Sequence, residues 1–414
     1  MSEWRELTIE ELAAKQKSAL ATGPFGSAVS SKNFRFSGVP MLRGSNLSDD
    51  VGIRLDERDL VFLDPDLAST FARSAARKGD LVFTCWGSVG QIGFIGEDAN
   101  YDEYIVSNKQ MKLSPNVEQV DPLFLYYNMS QPKMIFEVQS RAIGSTIPGF
   151  NLGQLRALKV QIPELLEQRA IAAVLGALDD KIAANTKLAA TSIGLLGALF
   201  GQLGLNSDPK DEDEIMALDE LVELNPKVAA PGEDEPVYVD MQKLPTSGIS
   251  ISEWERRPAK GGARFMNDDT LLARITPCLE NRKTGYVDFL PEGLAAIGST
   301  EFIVMRSRPG IPKQLSYFLA TSERFRTYAI RHMVGTSGRQ RVSALDLAGY
   351  TVSKPGPEAL ARFGEISTAQ FKLLKSLADE NRTLAATRDA LLPQLMSGKL
   401  RVKDAEKVLE NAGV

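Results

Sequence analysis

The sequence predicts a mixed α/β (α+β) chain: two modules in a pseudo-twofold arrangement, joined by two long antiparallel coiled-coil helices. Three observations predict it. The chain nearly repeats itself, since residues 181–188 align with 377–384 at an offset of 196, placing Asn185 on Asn381 and Leu188 on Leu384. The same offset puts Leu175 on Phe371, Leu178 on Leu374, Leu195 on Leu391, Leu196 on Leu392 and Leu199 on Leu395. Each copy carries an apolar row at helical spacing, and each row follows a long stretch of short apolar runs punctuated by Gly and Pro, as strands and turns require.

The elements follow in order. Residues 1–162 form a first module with strand signals at 79–84, 91–95 and 110–113 and a helix over 122–139 carrying Phe124, Tyr127 and Met134. Its tight loops are supplied by Gly23-Pro24-Phe25-Gly26-Ser27, Gly44-Ser45-Asn46 and Trp86-Gly87-Ser88-Val89-Gly90. A spacer helix occupies 163–204. Its seam, Ile171, Leu175, Leu178, Ile182, Asn185, Ala189, Ser192, Leu196, Leu199 and Leu203, alternates steps of 4 and 3, the heptad of a coiled coil. At 1.5 Å per residue the rod is about 55 Å long. A linker at 205–213, where acidic residues gather, leads to a second module at 214–355, in which 269–275 answers 79–84 and 301–304 answers 110–113 at an offset of 191. A second helix over 356–398 repeats the seam through Phe371, Leu374, Asn381, Leu384, Leu391 and Leu395, ends at Gly398, and leaves a tail at 399–414. One helix cannot bury its own seam, so the two rods are expected to pack together, with Asn185 and Asn381 setting register.

Composition narrows the chemistry. With 414 residues and 43% hydrophobic content, two cores of ordinary size fit. No stretch is expected to approach a membrane span and the start lacks the pattern of a signal peptide, so a cytoplasmic protein without a membrane partner is expected. Two cysteines, Cys85 and Cys278, are expected reduced and buried, and the single histidine, His332, leaves no zinc cluster or Ser-His-Asp arrangement. No Gly-rich Lys-Ser/Thr loop, no Asp/Asn-Pro-Pro-aromatic tetrapeptide and no Gly-x-Gly fingerprint after a strand is present. Neither metal, nor nucleotide hydrolysis, nor methyl transfer has a visible home, and no catalytic residue is expected.

The net charge of −5 conceals an uneven distribution. Eleven acidic residues against two lysines between Asp208 and Glu235 contribute −9, leaving +4 elsewhere, and eight basic residues against Glu323 between Arg306 and Arg341 make a local +7. That balance suits either a polyanion or a solvated helix face. Arg339-Gln340-Arg341 adds side chains that pair bidentately with guanine and adenine edges. A second basic cluster gathers Arg256, Arg257, Lys260 and Arg264, and Arg282 and Lys283 lie further on. In the first module Arg43, Asn46, Ser88 and Lys109 are the candidates for contacts to a polyanion.

The residues that carry a family likeness are spread along the chain. They are Gly23-Pro24-Phe25-Gly26-Ser27 with Leu42-Arg43-Gly44-Ser45-Asn46-Leu47, the run 79–84 with Gly87-Ser88-Val89-Gly90, Val106-Ser107-Asn108-Lys109-Gln110, Pro163 with Gln168 and Ile171, and the run 391–400. On these the chain resembles, over essentially its whole length, the specificity (S) subunit of type I restriction-modification systems. The resemblance implies a non-catalytic subunit with two target-recognition domains, each reading one half of a bipartite double-stranded DNA target, and helices that set the spacer and dock partners. Those partners would be two modification subunits carrying S-adenosylmethionine, and restriction subunits that translocate with ATP and Mg; no cofactor is expected on this chain. The second module departs from the pattern, its counterpart of 42–47 reading as 237–242. Two other functions remain open: a methyltransferase with its own reader, and a helical adaptor with no role on DNA.

Overall fold

Short strands bounded by turn residues can bury both faces only if sheets and helices close over them, and both modules solve this in the same way. The computed structural model describes residues 4–25, 28–144, 148–210, 214–258, 261–336 and 338–412. The protein divides into two compact units, residues 1–182 with 383–414, and residues 183–382. Each long helix is thereby shared: the division falls within Leu165–Gln202 and within Pro357–Met396, not at their ends.

In the first unit, an antiparallel sheet runs Leu20–Thr22, Gln110–Leu113, Leu81–Thr84, Ile92–Phe94. A second sheet runs Val61–Leu63, Val39–Leu42, Glu103–Val106, Ala75–Arg77, with Val39–Leu42 parallel to Glu103–Val106. The second unit repeats both orders. Its first sheet is Val222–Leu224, Phe302–Ser307, Thr270–Ala273, Thr284–Tyr286, and its mixed sheet is Glu255–Arg256, Val237–Val239, Ala296–Gly298, Ala263–Phe265. Even the caps recur: Asn151 with Gln154 opens Leu152–Arg156, and Ser343 with Asp346 opens Ala344–Ala348, each a reciprocal capping box.

The strand register corrects the sequence alignment. Phe83 and Met111 face the helices of the first core, as Leu272 and Ile303 do in the second, so 111 corresponds to 303 at an offset of 192, not 191. Since side chains alternate with period 2, that one-residue slip would have turned every side chain to the wrong face. The parallel pairs likewise match Leu42 with Val239, so the counterpart of 42–47 is 239–244 and not 237–242. The expected helix over 122–139 is two helices, Pro122–Ser130 and Pro132–Arg141, because Pro132 lacks the N–H to continue the first. The expected tail holds a further helix, Val402–Ala412, whose Ala405 and Leu409 join the first core.

The seam is buried where expected. In the first unit Ile171, Leu175 and Leu178 share a core with Leu384, Leu391 and Leu395; in the second, Leu196 joins Phe371 and Leu374, with Leu199 partly buried against them. Ile182 is partly buried against the first core. Within the second unit the helices run antiparallel, because Phe200 lies 6.3 Å from Phe363 while Asn185 Nδ2 donates to Asn381 Oδ1 at 2.9 Å. Asn185 is 5% exposed and also donates to Glu380, as a register-setting amide requires. Both helices are followed by a left-handed glycine, Gly204 at φ +73° and Gly398 at φ +66°. One expectation is corrected: by length and composition Leu165–Gln202 is apolar enough to cross a membrane, its richest 18-residue window having mean hydropathy 1.3 and being 17% buried.

Candidate nucleic-acid interface

In the first unit, one turn and three loops converge on a cleft of about 500 Å³. The turn is built by Ser107, whose hydroxyl accepts from Lys109 N and whose carbonyl accepts from Gln110 N at 3.0 Å. Gly23 is required beside it, since a Cβ there would stand 2.0 Å from the Ser107 carbonyl oxygen. Arg43, Ser88 and Lys109 all line this cleft, with Trp86 half exposed at its side. Thr84 and Gln110, which sequence reasoning missed, are buried in its wall, and Thr84 Oγ1, Gln110 Nε2 and Arg43 Nε have no partner. Asn46 is fully buried, accepting from Arg43 N at 3.0 Å and donating to the carbonyls of Asp56 and Arg58, so its amide is spent on holding the loop. Cys85 is buried behind it, with its thiol pushed up to about 11 by burial, and Cys278 is only partly buried.

The same turn in the second unit is Ser299–Phe302, where Ser299 Oγ accepts from Glu301 N and the Ser299 carbonyl from Phe302 N. Lys109 and Glu301 are therefore equivalent positions, confirmed by Cys85 N bonding Lys109 O and Arg274 N bonding Glu301 O. Glu301 is gripped by Arg341, with Nε 3.0 and 2.9 Å from its two oxygens and Nη2 2.7 Å from one. Arg274 Nε stands 3.8 Å away. The Arg341 hydrogen bond, with the charges of both arginines, holds the Glu301 carboxyl below its ordinary range. Gln340 is anchored by its backbone to Thr276, and Arg339 is exposed beside it.

The other candidates scatter. Arg256 pairs with Glu233 at 2.7 Å, Arg257 lies 3.7 Å over the Tyr238 ring, and Arg282 pairs with Glu323 at 2.9 Å. Lys283 Nζ donates to Met241 O at 2.7 Å. Arg264 lines a cleft with Lys227, Arg274 and Thr300, beside the Ser299–Phe302 turn, and Lys260 lies outside the described residues. The expected +7 footprint is much reduced: Arg306, Lys313, Arg324, Arg326 and Arg341 each face a carboxylate, those of Asp269, Asp268, Asp208, Glu323 and Glu301. These pairs explain why local charge counting overstated the surface field.

Away from the clefts, the first unit holds a buried ionic network. Arg388, 3% exposed, pairs with Asp179 at 2.9 Å and Asp50 at 3.2 Å, while Tyr127 donates to Asp179 at 2.5 Å. Burial pushes the Asp179 carboxyl above its ordinary value, against the pull of Tyr127 and Arg388. A signal existed for it: Arg388 occupies a seam position between Leu384 and Leu391, where a charge stands out.

Two repeated α/β modules on long helices, with loop side chains converging on a cleft in the first, give the architecture in which the likeness to known proteins is found. Residues 1–191 match the family described as type I restriction modification DNA specificity domain. The chain is 21% identical over 406 residues to the type I restriction enzyme HindI specificity subunit of Haemophilus influenzae, covering 80% of this chain and 88% of that one. It is 22% identical over 308 residues to the MjaIX specificity subunit of Methanocaldococcus jannaschii, covering 68% and 69%. A crystal structure of the type I restriction-modification S subunit from M. genitalium shares the fold, with TM-score 0.58, 16% identity and coverage of 95% and 96%. The chain is thus similar to specificity subunits of type I restriction-modification systems, over residues 1–191 to their DNA specificity domain and over most of its length to whole subunits.

Proposed function

We propose that this chain reads a split double-stranded DNA target, one half by each module, and brings that target to modification subunits that methylate it and to restriction subunits that translocate and cut. Lysine and arginine contacts to phosphate give salt-dependent affinity, while loop side chains give sequence. The observation that supports the split reading is the equivalence of Lys109 and Glu301: the frame is repeated, yet at one turn the charge is reversed. S-adenosylmethionine, ATP and Mg belong to the partners in this reading, and the long helices set the unread spacer. Methylation mapping of the genome of a host that expresses the chain with its modification partner tests it. One motif of two unlike halves around a fixed spacer is expected; a contiguous motif, or none, overturns it.

A further inference from the structure

Arg341 in the second module combines donors that are fixed with donors that are left over. A guanidinium has five N–H donors. Arg341 gives its Nε–H and one Nη2–H to Glu301, and one Nη1–H to the Arg339 carbonyl at 3.3 Å. One N–H therefore remains on each terminal nitrogen of a side chain 40% exposed. That is the donor pair that matches guanine O6 and N7 in the major groove. The backbone beneath is equally fixed: Arg341 bridges Val334, Arg274 O accepts from Val342 N, and Gly335, at φ +140°, has no room for a Cβ because the Arg339 carbonyl would lie 2.8 Å from it.

We infer that the second module reads a guanine with Arg341, and that Glu301 is the positioning residue that aims it. The inference rests on the DNA-reading function proposed above and adds to it a base and a pair of residues. Glu301 holds the side-on edge of the guanidinium, so the end-on edge is presented without the loss of rotamer freedom that a loose arginine would undergo on binding. A glutamate reaching bases by itself would favour cytosine; spent on Arg341, it does not. The first module lacks this device. At the place of Glu301 it has exposed Lys109, and at the place of Arg341, by the bridges Trp86–Gly149 and Ile275–Arg341, it has Gly149. A guanine contact of this kind thus belongs to one half-site only.

The test uses the chain in complex with its modification partner, on duplexes carrying the mapped target. Each guanine of the second half-site is replaced in turn by 7-deazaguanine, which lacks the N7 acceptor. One replacement is expected to weaken binding by about tenfold or more, and none in the first half-site is expected to act through Arg341. In Arg341→Ala that replacement costs nothing further, and Glu301→Gln loses much of the same sensitivity while still rejecting a mutated first half-site. Arg341→Lys, which keeps the charge and loses the fork, serves if the alanine variant does not fold. Binding indifferent to every replacement, or equally sensitive with and without the arginine, overturns the inference while leaving the split target standing. A wild type with no split target overturns both.

Discussion

The two units share topology, caps and seam, yet each fastens its reading module to the long helices by different chemistry. In the first unit the fastening is ionic: Asp179 and Arg388, with Tyr127 and Arg54, form a buried network. In the second it is aromatic: Phe318 lies 5.8 Å from Phe200, 5.7 Å from Phe363 and 6.2 Å from Phe371. At the 196-residue offset, Asp179 falls on Lys375 and Arg388 on Ser192, so the pair cannot form in the second copy. Meanwhile Tyr126 and Tyr317 do the same work in both, each donating at 2.7 Å to a loop carbonyl, that of Val51 or of Gly248. The frame is kept because it sets geometry. The fastening drifts because any well-packed contact will serve.

Three substitutions, the first of them paired with a control, break or sharpen that contrast. The largest effect is expected from Arg388→Ala, which strands the Asp179 carboxylate in a buried site and costs about 3–5 kcal/mol; Lys375→Ala, at the position equivalent to Asp179, costs less than about 1 kcal/mol because its ammonium is exposed. Urea denaturation of the two variants checks the difference, and equal losses would mean that the network does not fasten the first unit. Asp288 in the second unit comes next. Burial raises its carboxyl from 3.8 to about 6, against the opposing charge of Lys375, with Asp379 and Arg382 also facing it. The folded chain then holds a proton that the unfolded chain has released, so the stability linked to this group is full below about pH 4 and is lost as pH rises through about 6. Asp288→Asn should flatten that slope and stabilise the protein near neutral pH by roughly 3 kcal/mol, seen as a rise in melting temperature at pH 7 that disappears at pH 4. The smallest change is Asn185→Ala, expected to cost about 1 kcal/mol through its lost hydrogen bonds to Asn381 and Glu380, measurable as a shift in the urea midpoint.

How much of this could be seen in the sequence depended on distance along the chain. The long helices were legible, because a heptad declares itself within a few turns, and Gly398 marked an end. The strand equivalences were nearly legible and off by one or two residues, since short strands of three or four residues carry little pattern against period 2. Pro132 was visible and should have split the helix over 122–139. The reading groups were legible in part. Arg43, Ser88 and Lys109 gather in one cleft, but Asn46 is spent on its own loop, and four of the eight basic residues of 306–341 are paired with carboxylates remote in sequence. Glu301 stands 40 residues from Arg341, and Asp179 stands 209 from Arg388. No local signal connects such partners; only the fold does.

The claim that each module reads its own half of the target is tested most directly by exchange. Residues 214–355 are replaced by the second module of a relative with a different mapped motif, and methylation is mapped again with the same modification partner. The account predicts a motif whose first half and spacer are unchanged and whose second half is the relative's. A motif in which both halves change, or neither, would contradict it.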